Sequence, residues 1–313
     1  MFFLLCFFIP HSAIEDPMPD TLFTKPPQWG WLIVWYFFLG GLAGGSYFLA
    51  ALLDLWGDER DRPAARLGYY VALIGVVLSV VLLTLDLTRP ERFWHMLVMS
   101  ERGRPMFKYW SPMSIGSWAL LLFGGFAFLS TLAALAEEDL IRWRWPRRLR
   151  RGVIGGILAV LGGLCGFFVA GYTGVLLTAT NRPLWTDTHL LGLLFLVSGA
   201  STAAACLLLL SRWRSADALT LHWLSWVDSR VLWIELGVVA LFVLWVGAAG
   251  QWWLHVWGLM LLLGVVLAGV LTPLALHARP ELLGQASPLV SAALVLGGGF
   301  VLRAVIVLAA QSI

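Results

Sequence analysis

Apolar residues in this chain gather into long runs separated by short polar stretches. A run of roughly 20 such residues is long enough to cross a lipid bilayer as a helix. The pattern predicts about eight spans, near 31–54, 65–85, 114–136, 152–178, 189–211, 230–250, 253–277 and 287–310. Most connections are short, so helices adjacent in sequence should pack antiparallel. The expected fold is all-α, a polytopic membrane helical bundle. Its transmembrane domain covers 31–313 and includes an interfacial segment at 86–113; residues 1–30 form an N-terminal interfacial arm. The first ten residues are apolar but too short to span, and they lack the positive start of a signal peptide. They are either part of that arm or the product of a start upstream of Met18.

Two features interrupt the plain apolar pattern. The first is glycine at helical spacing: GGLAGG in the first span sets Gly40 over Gly44 and Gly41 over Gly45, and the fourth span carries Gly162 and Gly166. Such spacing bares one helix face so that another backbone can approach. The second is DLTRPERFWHMLVMSERGRPMFKYWSPMSIGSW, Asp86 to Trp118, which mixes charge, aromatics and methionine with helix breakers. Phe93, Trp94, Leu97 and Val98 fall at i, i+1, i+4 and i+5, the stripe of a short helix lying in the membrane interface. Pro90 can open that helix, and Pro105 and Pro112 stop the backbone from continuing as one rod. An ordinary interfacial loop with snorkelling arginines is the other reading.

Composition agrees with the membrane reading. The chain is 60% hydrophobic and 12% charged, whereas soluble domains are about half apolar and about a quarter charged. Eighteen tryptophans suit the headgroup boundary. Cys6, Cys165 and Cys206 have no CxxC or CxxCH spacing, so neither an iron–sulfur cluster, a structural zinc nor attached haem is supported. Haem b would need two histidines at matched depth on facing helices, and His189 and His255 both lie near the surface. Nothing suggests nucleic acid.

Basic residues set an expected orientation. Loops one, three, five and seven carry Arg60, Arg62 and Arg66, the run from Arg142 to Arg151, then Arg212, Arg214, Arg230 and Arg279. The termini and remaining loops carry Lys25, Arg89, Arg92, Arg102, Arg104, Lys108 and Arg182. The first group is expected to be cytoplasmic, leaving both termini and segment 86–113 on the outer (periplasmic) side. The charge of that segment runs against the rule, which a docked partner would explain.

Ionisable groups at membrane depth are costly and so are functional candidates. Arg303 lies well inside the last span. Glu235 is expected about one turn above the cytoplasmic end of the sixth, snorkelling or pairing with Arg230, or serving as a proton relay. Arg303 and Glu235 are expected in opposite halves of the membrane, not as a simple pair. Near the outer face gather Tyr36, Asp86, His95, Tyr172, Asp187, His189 and His255. Tyrosine and histidine in a partly apolar pocket can hold quinone oxygens, and histidine can pass protons. Tyrosine at a helix end is also a common membrane-belt residue.

GGLAGG, DLTRPERFWHML with WSPMSIGSW, YTGVLLTATNRPLW and the closing GGGFVLRAVIVLAAQ together resemble the NrfD/PsrC family, the polysulfide reductase-type membrane anchors of molybdopterin oxidoreductase complexes. The resemblance runs from about residue 31 to the C-terminus. It implies eight or more helices and a quinone or quinol site (menaquinone or ubiquinone) near the outer face. It also implies a docked four-cluster ferredoxin-like iron–sulfur subunit and a molybdopterin catalytic subunit. On that basis the quinone would meet Tyr172, with Tyr36, His95, Asp86 and His189 nearby. Protons would move through Glu235, Arg303 and His255, and the partner would dock on Arg92, Phe93, Trp94, Arg104 and Lys108. Where the family pocket has a histidine and an asparagine on the first helix, this chain has Tyr36 and Ile33. Two other readings remain open: a proton-translocating channel or transporter-type subunit, and a structural anchor without a working quinone site.

Overall fold

The computed structural model describes residues 28–100, 103–141, 146, 152–180, 182–186, 188–247 and 255–311, and is almost entirely helical. The principal helices are α1 (Trp31–Trp56), α2 (Arg62–Asp86), α3 (Pro112–Glu137), α4 (Gly152–Thr178), α5 (Leu191–Trp213), α6 (Ala218–Gly247), α7 (Val256–Ala278) and α8 (Ser287–Ala309). Among the described residues, seven are long and apolar enough to cross a membrane: all of these except α6. The expected arm lies mainly in residues outside the described ones, as do Arg102 and Asp187.

Local chemistry explains the helix boundaries. Ser111 caps α3 by accepting from the Ser114 N–H, and Pro112 sits in its first turn. The chain enters α2 through a capping box between Asp58 and Asp61, with proline in the first turn. Helix α6 starts well before the expected residue 230, because the Asp217 carboxylate accepts the Leu219 N–H and nothing after it breaks the helix. At 30 residues it is about 45 Å long. Within α7, Leu261–Leu271 is wound as a π-helix, and the Thr272 hydroxyl donates to the Leu267 carbonyl.

Helix α1 is the axis of the bundle, packed against α2, α4, α5 and α8. The glycine faces do what their spacing predicts at Gly44, Gly45 and Gly166, which meet another backbone, whereas Gly162 receives the Tyr47 ring and Gly40 faces side chains. A Cβ on Gly45 would lie 2.6 Å from the Gly199 carbonyl oxygen on α5, and Gly44 meets the Gly166 backbone on α4. The first contact leaves no room for any side chain. On α2, Gly68 faces Ala50 in the same way, 2.7 Å from an added Cβ.

The interfacial segment differs from the single short helix expected. Pro90–Met96 forms a 3-10 helix, and a hairpin of β1 (Val98–Met99) and β2 (Arg104–Pro105) follows. The turn needs Gly103 at positive φ. The Trp118 indole donates to the Met106 carbonyl, tying the hairpin's exit to α3.

Two ends of the bundle follow from these contacts. One, the aromatic end, holds segment 87–111, the start of α1 and the end of α8, where Gln311 pairs with the Trp29 backbone. The other, the basic end, holds the α1–α2 connection and the start of α6, where Thr220 donates to Asp61.

Candidate functional site

At the aromatic end α1 and α4 place Tyr36 and Tyr172 in the interior, 4% and 7% exposed. The Tyr172 hydroxyl donates to the Pro112 carbonyl at 2.5 Å, so it is held where the interfacial segment enters α3. Its ring lies against Gly116, where any Cβ would collide with it, and stacks on Phe168. Since Tyr172 donates to Pro112, its oxygen retains lone pairs for a further donor. Tyr36 stands on the neighbouring helix, its ring close to Thr173, the residue after Tyr172, and among the described residues its hydroxyl takes no hydrogen bond. Around Gly40 the Tyr36 ring converges with Ser79 and Thr173. The Ser79 hydroxyl is buried without a partner among the described residues. An unengaged phenol beside an orphaned buried hydroxyl is a donor set that fits a carbonyl or hydroxyl ligand such as a quinone.

The other outer candidates separate from this pair. Asp86, His189 and His255 are exposed, and His255 stands at the start of α7. His95 is half-buried, stacked on Trp94, with Nδ1 3.1 Å from the Arg92 carbonyl oxygen. Arg92, Phe93, Trp94, Arg104 and Lys108 are all exposed, beside Phe107, Tyr109 and Trp110. Ile33 is buried.

A second polar group runs inward from there. Arg303 is fully buried, and its guanidinium donates to the carbonyls of Phe37, Gly299 and Phe195 and to the Ser198 hydroxyl, at 2.7–3.3 Å. It also lies over the Phe195 ring. Gly41 makes this possible, since a Cβ there would come 2.7 Å from the guanidinium. One turn further along α5, the Ser201 hydroxyl donates to Glu235 at 2.6 Å. Ser198 and Ser201 thus join the arginine on α8 to the acid on α6.

Two expectations about Glu235 need correction. It does not snorkel: it is 3% exposed, because α6 begins twelve residues earlier than expected and carries it deep into the bundle. Nor does it pair with Arg230, which is exposed and lies over the Trp226 ring, since residues five apart face different sides of a helix. Arg303 and Glu235 form no direct ion pair, but they do not lie in opposite halves of the bundle as expected: their partners Ser198 and Ser201 are one turn apart on α5, which holds both at neighbouring depths.

Sequence reasoning missed Asp228 and His277. Asp228 is fully buried on α6, and its Oδ2 is 3.5 Å from His277 Nε2 on α7. Asp228 lies two turns before Glu235, at i and i+7 on the buried face, and that spacing was the available signal. At the basic end a cavity of about 290 Å³ is lined by Asp54, Arg62, Tyr69, Ser130 and Glu137.

A membrane bundle whose interior carries an arginine–serine–glutamate connection behind a buried tyrosine pair is the class defined so far. The chain matches the family described as "Polysulphide reductase, NrfD" over residues 21–313 and belongs to it. It is 28% identical to the C chain of polysulfide reductase from Wolinella succinogenes over 244 residues, 70% of this chain and 69% of that protein. It is 30% identical to protein NrfD of Escherichia coli over 198 residues, 58% of each. Over 110 residues, 35% of this chain and 24% of the relative, it is 27% identical to the C subunit of selenate reductase from Mesobacillus selenatarsenatis. The chain is therefore a multi-pass prokaryotic membrane protein of a family of reductase membrane subunits. Among the described residues no cluster of histidine, cysteine or acidic side chains is arranged to hold a metal ion.

Proposed function

We propose that this chain is the quinone-reactive membrane subunit of a multi-subunit oxidoreductase, working at the outer face with a docked iron–sulfur subunit that connects it to a molybdopterin catalytic subunit. The observation that carries this reading is the buried Tyr36–Tyr172 pair, anchored through Pro112 to an exposed segment rich in aromatic and basic residues. Quinol, when bound, would supply both electrons and protons. Tyr36 and Ser79 can donate to a ligand oxygen, Tyr172 can accept from a ligand hydroxyl, and bare Gly40 lies between them, where an added Cβ would stand 3.8 Å from both Tyr36 and Ser79. Arg92, Phe93, Trp94, Arg104 and Lys108 give a partner both apolar area and positive charge. His95, Asp86 and His189 lie outside the buried pair and would meet protons at the surface. His255 would do the same at the start of α7.

Replacing Tyr172 with phenylalanine should lower quinol-coupled turnover of the complex by about tenfold, the value of one hydrogen bond, and spare dye-linked activity of the catalytic partner. Equal activity of wild type and variant in both assays removes Tyr172 from the site. A second reading, a proton-translocating subunit, is favoured by the Arg303–Ser198–Ser201–Glu235 connection. Proton flux through liposomes holding this chain alone would support that reading, whereas flux only with quinol and the whole complex supports coupling. Quinone retained in the purified complex would count against a purely structural anchor.

A further inference from the structure

At the basic end α6, α7 and α8 close around Asp228, His277 and Ser291. Nε2 of His277 lies 3.5 Å from Asp228 Oδ2 and 3.3 Å from the Ser291 hydroxyl. The Asp228 side chain is 1% exposed and the His277 side chain 12%. Among the described residues neither Asp228 oxygen accepts a hydrogen bond, and Nδ1 of His277 has no partner either. A carboxylate without donors, shut away from water, costs several kcal/mol, and a proton or a bound cation removes that cost. A proton between Oδ2 and Nε2 can belong to either group and satisfies both.

The charged groups around the pair are few. Helix α6 contributes Asp228 and, two turns on, Glu235, while its Arg230 faces Trp226. Helix α8 contributes Ser291 and no charge before Arg303, and Ser211 is the buried polar residue at this end of α5. Arg212 and Arg214 beyond it are exposed, as are Arg279 and Glu281 in the connection after α7. No cation among these is seated against Asp228. Between Asp228 and Glu235 lies a separate apolar cluster built on Leu232, Leu274, Ala292 and Val295. The partly exposed histidine, in the last turn of α7, is the outer member, the enclosed acid is the inner one, and the apolar layer separates both from Glu235.

We propose that Asp228 and His277 form a proton-holding site that loads from the basic end of the bundle and supplies Glu235. His277 takes a proton from water, Asp228 receives it, and movement of the apolar layer lets it pass to Glu235; no electron moves in these steps. That the pair holds a proton follows from its own surroundings, while its use in coupling rests on the function proposed above.

The full-length chain, purified in nanodiscs, tests the first point by infrared difference spectroscopy across a pH titration in H₂O and D₂O. A deuterium-sensitive carboxylic C=O band is expected, lost in Asp228→Asn, shifted in His277→Gln and retained in Glu235→Gln. The His277→Gln arm keeps the test valid should Asp228→Asn fail to fold. Absence of any band that responds to these two changes in folded protein overturns the site, and so does loss of the band on adding sodium chloride at fixed pH, which would make it a cation site. In the complex reconstituted in liposomes, His277→Gln should slow quinol-driven proton uptake from the basic side about a hundredfold, the usual weight of a positioned acid–base group. Uptake at the wild-type rate overturns the coupling role. A wild-type complex that turns over no quinol would instead sink the quinone reading and leave the infrared result standing.

Discussion

Helix α5 makes two kinds of contact, and they differ in what small residues are for. Toward α1 it presents Gly199, which meets Gly41 and Gly45 backbone to backbone, with the Arg303 guanidinium lying against Gly41 at the edge of the seam. On its other buried face Ser198 and Ser201 use hydroxyls, one to Arg303 and one to Glu235. Glycine gives closeness and rigidity there; serine gives a hydrogen-bonded place for charge in a medium that otherwise rejects it. The two uses sit within a single turn, so the tight seam holds the charged connection in register.

The contrast can be tested at four positions. The largest effect is expected at the charged side: Arg303→Met would leave three carbonyls and a serine without their donor, costing about 3–5 kcal/mol, the range for breaking a buried charged network. Thermal unfolding of the purified chain would read it as a large loss of stability or failure to accumulate. Next, Gly45→Ala places a methyl group against the Gly199 carbonyl oxygen and Ala203. It should cost about 1–3 kcal/mol by overpacking, seen in the same assay. Glu235→Gln keeps the volume and an acceptor for Ser201, so stability should change by under about 1 kcal/mol; quinol-driven proton uptake should fall, because the amide cannot exchange a proton. Arg230→Ala, outside both networks, should leave stability and uptake unchanged, and a loss matching that of Glu235→Gln would restore the rejected pairing.

The seam was legible in the sequence because GGLAGG announces itself by spacing alone, and the spans were legible because length and apolarity fix them. The charged side was harder to read. Serines inside an apolar run look like filler, and no spacing rule says that Ser201 faces Glu235 on another helix. Asp228 is hidden from a reading by pattern because it lies in LHWLSWVDSR, a mixed polar stretch ahead of the expected start of the sixth span. Once α6 begins at Ala218, that stretch becomes the first half of the helix and Asp228 joins its buried face. The interfacial segment was read as one helix because its apolar stripe fits one. Its prolines and Gly103 favour a 3-10 turn and a hairpin instead.

The side chain of Gln311 accepts from the Trp29 N–H at 2.9 Å and donates to the Trp29 carbonyl at 2.6 Å, in the manner of a neighbouring strand. The start of α1 and the end of α8 are thereby held side by side. Replacing Gln311 with leucine would remove both bonds at once, so that the two extremities come loose together rather than one by one.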